Sequence, residues 1–523
     1  MKVRFAKLLL LTVAIPLFSC RNGHSVEVPP SLKSVEVEET RIQLPRGGSG
    51  ELHFCVKDQL YRFAGLSDVV VTGTSSRPLD GFSLTDLRSG EQEGHYVAVL
   101  TDSGAAEEYR FQARLGIRLE SGSDALVLSE PFEVSNAPEA GPSWQQTGLP
   151  AVIIDTQDGA PVNNKEDWIA ATLSLEGADY ACSVRGRGNS TWEFPKKPYA
   201  IKLEKKASLL GMPSHKRWVL LANFVDRSLM RNITAMKVAS LTSLEWSPKC
   251  RSVELVLNGR HLGNYLLIEQ VKVDKNRVAV DDEEGFLLEL DFHYDNEIQW
   301  MDPRGRCWQL GGGIPFGIKY PDPEDITPER VQQIKDYVAE VSSVIYGPSF
   351  ADPAEGYAKY LDVQSFIDYW IVFEVMGNHE LNNPGSVYMH KTKDGKLTAG
   401  PCWDFDWGVL SYKTSPAARS GLINAEAIWY SRLLADPAFR AALKARFAEL
   451  LPALETIPDF MEQTQKELEK SAALNFEMWN PADDARLNGN SIINGDENIS
   501  FGEACVRLRT IFEERLSVIQ KSL

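Results

Sequence analysis

Between Val35 and Val134, apolar and polar residues alternate in short runs (VEVEETRIQL, ELHFCV, DVVVTG, HYVAVLTD, EYRFQARLGIRL, ALVLSEPFEV) separated by turn signals such as PRGGSG. A period of two in short segments at regular spacing predicts an all-β, immunoglobulin-like sandwich over residues 35–137. No group of residues in it resembles a catalytic cluster, so it reads as a spacer or a binding module. The stretch NAPEAGPSWQQTG is rich in Pro, Gly and small polar residues, which predicts a linker over 138–148.

Beyond the linker the pattern changes. LPAVIIDTQDGAPV is a strand followed by a turn, and YAIKL alternates, with Tyr199, Ile201 and Leu203 on one face and Ala200 and Lys202 on the other. TPERVQQIKDYVAEVSSVIYG carries apolar residues at Val331, Ile334, Val338, Val341 and Ile345, with Thr327 as cap and Pro328 at the first helical position. DVQSFIDYWIVFEVM is apolar almost all round, as suits a helix buried in a large domain. The last hundred or so residues are helical in pattern. Residues 149–523 are therefore expected to form an α+β domain with a β-rich half and a helix-rich half.

Composition narrows the function. With 523 residues, 43% of them hydrophobic, the chain is long enough for two or three globular domains. Its formal charge of −17, from 55 Lys and Arg against 72 Asp and Glu, argues against a general nucleic-acid binder, so any phosphate site must be local. Lys2, Arg4 and Lys7 precede a short apolar run that ends in LFSC, the layout of an export signal. The ending resembles a bacterial lipobox, which makes residues 1–19 the signal peptide, Cys20 the lipidated residue and 20–34 a tether. The protein is then expected in the cell envelope, held to a membrane by lipid and facing away from the cytoplasm. Cys55, Cys182, Cys250, Cys307, Cys402 and Cys505 are widely spaced without a CxxC pair, so neither a zinc site nor a disulfide framework is visible.

Two clusters carry chemistry. In RGRGNSTW, Gly186 and Gly188 allow close approach of the backbone to a ligand, while Arg185 and Arg187 add charge. A glycine-rich turn is more often a plain hairpin, but a lysine one strand later, Lys202, is how protein kinases hold nucleotide phosphates. The second cluster, GNHELNNPGSVYMHKTKDGKLTAGPCWDFDWG, follows the buried helix. Asn378, His379, Glu380, Asn382 and Asn383 gather in its first loop; a hairpin then leads to Asp404 and Asp406. Carboxylates two apart after an asparagine-rich loop suit a hard cation such as magnesium; the alternative is that both cap turns and bind Lys or Arg. His379 and His390 read as structural, and no serine has a GxSxG setting.

RGRGNSTW with PKKPYAIKL, KRWVLLANFVDRSLMRN, GNYLLIEQVKVDKNRV and WDFDW together resemble the spore-coat protein H (CotH) kinase family over residues 149 to about 520. The resemblance implies a divergent protein-kinase-like fold and transfer of the γ-phosphate of ATP to serine or threonine of an exported protein, with Mg2+ or Mn2+. Carried onto this sequence, Lys202 would neutralise the phosphates and Glu269 would position it. Arg185 and the Gly186, Arg187, Gly188 and Asn189 backbone would cover them, and Asp404, with Asp406 and Asn383, would hold the metal. Arg231 is either a further cation or part of a structural salt bridge. The family's loop carries an aspartate where this chain has NHELNN, so Glu380 takes the place of the base. The competing function is a catalytically inactive kinase-like lipoprotein with a binding or envelope-structural role. A glycan-active site lined by tryptophans is weaker, because no pair of carboxylates is placed for it.

Overall fold

The computed structural model describes residues 35–44, 48–56, 69–72, 81–90, 94–102, 110–118, 126–135, 143–280, 284–293, 296–411, 413, 419–484 and 493–523. The signal segment, Cys20 and the tether lie outside them, as do residues 138–142 of the linker. Contacts divide the chain into two units, Met1–Pro138 and Glu139–Leu523. Among the described residues no helix is long and apolar enough to cross a membrane.

The first unit contains β1 (Val35–Val37), β2 (Arg41–Gln43), β3 (Ser49–Val56), β4 (Val69–Thr72), β5 (Phe82–Ser89), β6 (His95–Asp102), β7 (Arg110–Arg118), β8 (Leu126–Leu128) and β9 (Phe132–Ser135). One sheet runs β1-β3-β6-β5 and a second β2-β9-β7-β4, with β8 pairing β7. Alternation sends Leu52, Phe54 and Leu100 from the first sheet and Leu115, Phe132 and Val134 from the second into one core.

The second unit is a mixed α+β structure. It begins with β10 (Ala151–Thr156), β11 (Ile169–Leu175), β12 (Ala178–Gly186), β13 (Tyr199–Ala207), β14 (His215–Leu221), β15 (Cys250–Leu257) and β16 (Arg260–Glu269), which close into a barrel in the order β10-β11-β12-β13-β14-β16-β15. Its interior is filled by Val184, Tyr199, Ile201, Leu203, Trp218, Leu255, Tyr265 and Leu267 among others. The alternate residues Val219, Leu266 and Ile268 face outward and join a second, larger core.

That core is built on β17 (Phe286–Leu290), β18 (Gln299–Asp302), β19 (Ile314–Tyr320), β20 (Val387–Lys391) and β21 (Thr398–Ala399), ordered β18-β19-β17-β20-β21. The helices are α1 (Arg231–Ala239), α2 (Pro328–Tyr346), α3 (Val363–Val375), α4 (Tyr430–Leu433), α5 (Pro437–Leu454), α6 (Ile457–Met478) and α7 (Phe501–Ser522). Helix α2 starts as its sequence predicts: Thr327 Oγ1 accepts from the Arg330 amide at 3.2 Å and Pro328 opens the helix. Helix α3 is buried along nearly its whole length, from Ser365 to Val375, which its all-round apolar sequence requires. All six described cysteines are free thiols.

Candidate active site

The segment after β21 carries WDFD outside any strand or helix and is pinned from three directions. The Phe405 amide donates to Asn232 Oδ1 of α1 at 2.9 Å, and the Gly408 amide donates to Asn494 Oδ1 at 2.8 Å. Asn494 Nδ2 in turn donates to the Asp406 carbonyl at 3.0 Å and to the Val225 carbonyl at 2.8 Å. The Phe405 ring is buried against Phe373 of α3, with centroids 4.7 Å apart. Asp404 is held at φ +64°, a left-handed backbone that a non-glycine residue adopts at a cost and that clusters at functional sites.

This anchoring leaves the two carboxyl groups beside each other. The two carboxyl groups are close enough for each to affect the other's hold on a proton. Burial raises both above the ordinary carboxylate range; the Arg187 guanidinium opposes this at Asp404, and the Asp404 and Asp226 charges add to it at Asp406. Glu380 opens a single 3-10 turn, Glu380–Asn382, just past α3, with its amide donating to Asn378 Oδ1 at 2.8 Å. Its Oε2 is buried with no hydrogen-bond partner. Burial, followed by the charges of Asp404 and Asp406, pushes its pKa well above the usual value.

A fourth carboxylate comes from the neighbouring strand. Glu289 of β17 faces Tyr388 of β20 in the ladder and accepts from its hydroxyl at 2.8 Å, while Lys319 Nζ of β19 lies 3.1 Å from Glu289 Oε2. The Glu289 charge in turn raises Asp404. Against these acids stands Arg187, whose guanidinium lies 5.8 Å from the centre of the Trp403 ring.

The turn RGRGNSTW folds on itself. A Cβ on Gly186 would lie 2.3 Å from the Trp192 ring, and one on Gly188, at φ +89°, would lie 2.1 Å from Thr191 Oγ1, so both glycines make room for side chains of the same turn. The Gly186 amide donates to the Asn164 carbonyl at 2.9 Å and the Arg187 amide to the Pro198 carbonyl at 3.2 Å. Those two amides are therefore spent within the barrel instead of covering an anion. The Arg187 side chain is what the turn delivers to the carboxylates, and Asn189 precedes the 3-10 turn Ser190–Glu193.

The expected pairing of Lys202 with Glu269 is corrected by register. Ile201 faces Trp218 and Trp218 faces Glu269, so Glu269 belongs to the barrel's inner side, whereas Lys202 faces Arg217 on the outer side and is exposed. Glu269 binds Arg277 Nη1 at 2.5 Å and the Lys249 amide at 2.9 Å. Asn383 is likewise not turned to the carboxylates; its Oδ1 accepts from the Gln309 amide at 2.8 Å. Arg231 is a buried structural cation, paired with Asp226 at 2.5 Å and Asp496 at 2.7 Å and donating to the Val409 carbonyl at 2.8 Å. The conspicuous lysine of PKKPY is Lys196: fully buried, it donates to the Ala222 carbonyl at 2.8 Å, to Asn475 Oδ1 at 2.7 Å and to the Asn264 carbonyl, tying β16 to α6. His390 meets Glu245 at 3.2 Å and the Gly400 carbonyl, a structural setting.

The description CotH kinase protein belongs to the family whose model matches residues 184–514, well over half of the chain and the whole of this site. The chain belongs to the CotH kinase family, and thus to a kinase-like class of protein. No curated protein matches it. Among solved structures it is similar to the S-layer protein SbsC, domains 5-6, at 13% identity over 46% of this chain and 97% of that one, with a TM-score of 0.14. Surface layer protein SbsC, domains 4-9, matches at 11% identity over 55% and 37% of the two chains, also with a TM-score of 0.14.

Proposed function

We propose that the protein is an envelope-anchored atypical kinase that transfers the γ-phosphate of ATP to a serine or threonine hydroxyl of an exported protein. In this reading Cys20 carries the lipid anchor, the second unit is a divergent kinase-like domain and the first an immunoglobulin-like sandwich. The observation that carries it is the acidic group Asp404, Asp406 and Glu380, with Asp406 buried, Asp404 and Glu380 half-buried, and one Glu380 oxygen buried without a hydrogen-bond partner. Burying like charges together raises the free energy of the fold, and groups of this kind are kept where chemistry needs them.

A hard divalent cation fits this donor set. Asp404 and Asp406 would supply the oxygen ligands, giving up the protons that burial favours, as a cation requires. Among the described residues no group of three or more His, Cys, Asp or Glu is placed to hold a metal ion by itself. Mg2+ and Mn2+ take one or two carboxylates and complete their shells with water and substrate phosphates, so Asp404 and Asp406 would be the protein's share. When bound, the ion neutralises charge on the phosphates of the donor.

Glu380 acts as the base. Its raised affinity for a proton equips it to accept one from the acceptor hydroxyl as the oxygen bonds to phosphorus and the bond to the leaving ADP oxygen breaks. Glu289, Lys319 and Tyr388 hold the strand edge beside Asp404 in place. Incubation of the full chain with γ-labelled ATP and Mg2+ or Mn2+ should transfer label to a serine- or threonine-bearing protein. Labelling that persists in Asp404→Ala would sink the assignment.

A further inference from the structure

We propose that Arg185, Arg217 and Lys272 form the anion-binding half of this site and receive the phosphate chain of the donor, the part that family resemblance gives to Lys202. This rests on the phosphoryl-transfer reading and names the residues that hold its substrate.

Arg185 on β12 and Arg217 on β14 flank β13. The pairings Arg185 with Ala200 and Lys202 with Arg217 put both arginines on the outer face of the barrel. Both guanidinium groups lie over one ring, Trp168, at 4.7 and 5.0 Å from its centre. Arg185 Nε is buried and has no hydrogen-bond partner. Other buried arginines of this unit behave differently: Arg231, Arg277 and Arg515 each bind a carboxylate within 2.7 Å.

Lys272 joins the pair from the segment after β16. Burial lowers its affinity for a proton, the Asp322 charge opposes this, and the charges of Arg217, Lys319 and Arg185 add to the lowering. Arg217 is lowered as well, by burial and then by Arg185, with Asp322 opposing. Among the described residues, the side chains of Arg185, Arg217 and Lys272 form no ion pair. Cations gathered on a half-buried surface, with the Asp322 charge acting on Arg217 and Lys272 but ion-paired to neither, repel one another, and a polyanion relieves that repulsion while taking up their unused donors.

Lys319 and Glu289 stand between the cations and the acid centre in electrostatic influence, and they are in direct contact with each other. Lys319, which acts on Lys272, pairs with Glu289 at 3.1 Å, and Glu289 acts on Asp404. Phosphates bound to Arg185, Arg217 and Lys272 would therefore lie toward the carboxylates that hold the metal. The net charge of −17 and the small size of the cluster select a short phosphate chain over a nucleic-acid backbone.

The test is calorimetric titration of the full chain with ATP and with inorganic tripolyphosphate, each with Mg2+. Wild type should bind both, and Arg217→Gln with Lys272→Gln should weaken each by about tenfold or more. Lys202→Gln should change affinity by less than about twofold, as for a solvated lysine. Lys272→Gln alone leaves both arginines over Trp168 and should weaken binding in the same direction, which guards against misfolding of the double variant. The proposal is overturned if Lys202→Gln weakens binding more than the double variant, or if wild type binds neither probe. Unchanged phosphate transfer by the double variant would overturn the anion site and leave the kinase reading standing. Tripolyphosphate binding that depends on Arg217 and Lys272, without transfer from ATP, would keep the anion site and overturn the kinase reading.

Discussion

Glu374 and Glu380 stand six residues apart at the end of one buried helix, and they are treated in opposite ways. Glu374 accepts from Arg515 Nη2 at 2.6 Å, from the Ile423 and Asn424 amides at 2.6 and 3.0 Å, and from Asn424 Nδ2 at 3.1 Å. Every lone pair aimed inward has a donor. Glu380 has an oxygen buried without any and faces Asp404 and Asp406. Glu374 is fully buried and Glu380 half-buried, yet the first ties α3 to α7 and the second destabilises its surroundings. The contrast separates a buried charge that holds the fold from one kept for a ligand.

The comparison is broken most severely from the structural side. Arg515→Met strands Glu374 without its cation and should cost about 3–5 kcal/mol of stability, as for other buried pairs that lose one partner. Denaturant unfolding measures it, and a loss below about 1 kcal/mol would remove the distinction drawn here. On the functional side, Glu380→Gln keeps the size and loses the proton acceptor. Phosphate transfer should fall by about 10²–10⁴-fold, the usual contribution of a general base, while the melting temperature stays level or rises. A drop in melting temperature like that of Arg515→Met would make Glu380 structural too.

The smallest effect comes from an accessible pair in the first unit. The Glu39 hydrogen bond raises the pKa of His53, so the folded state holds the proton more tightly than the unfolded chain. Its stabilisation is present below the unfolded value, about 6.5, and is lost as pH rises through the raised folded value. Because His53 is well exposed, the effect should stay under about 1 kcal/mol. Slower amide exchange along Ser49–Val56 at the lower pH, abolished in His53→Gln, is the expected record.

Local features were legible and distant ones were not. The cap and proline of α2, the all-apolar α3 and the hairpin before WDFD are set by neighbours in sequence, and the structure has them where the pattern predicts. Asp404, Asp406 and Glu380 stood out by residue type. The facing of Lys202 within its strand was readable from YAIKL, but its relation to Glu269 depends on register through β13, β14 and β16, which one strand does not encode. Glu289 gave a faint signal, a lone acid inside the apolar strand FLLEL, and Asn494 a fainter one in SIINGDEN. Arg217 and Lys272 gave none, since isolated cations in KRWVLL and QVKVD look like ordinary surface residues until the barrel closes.

The central claim is that Asp404, Asp406 and Glu380 are unpaired for the sake of a cation and a phosphate donor. Melting of wild type and Asp404→Asn, each with and without Mn2+ and ATP, tests it directly. Wild type should gain several degrees from the two together, whereas Asp404→Asn should melt no lower than ligand-free wild type and gain nothing. A variant that melts well below wild type, alongside a wild type indifferent to Mn2+ and ATP, would mean that these carboxylates serve the fold.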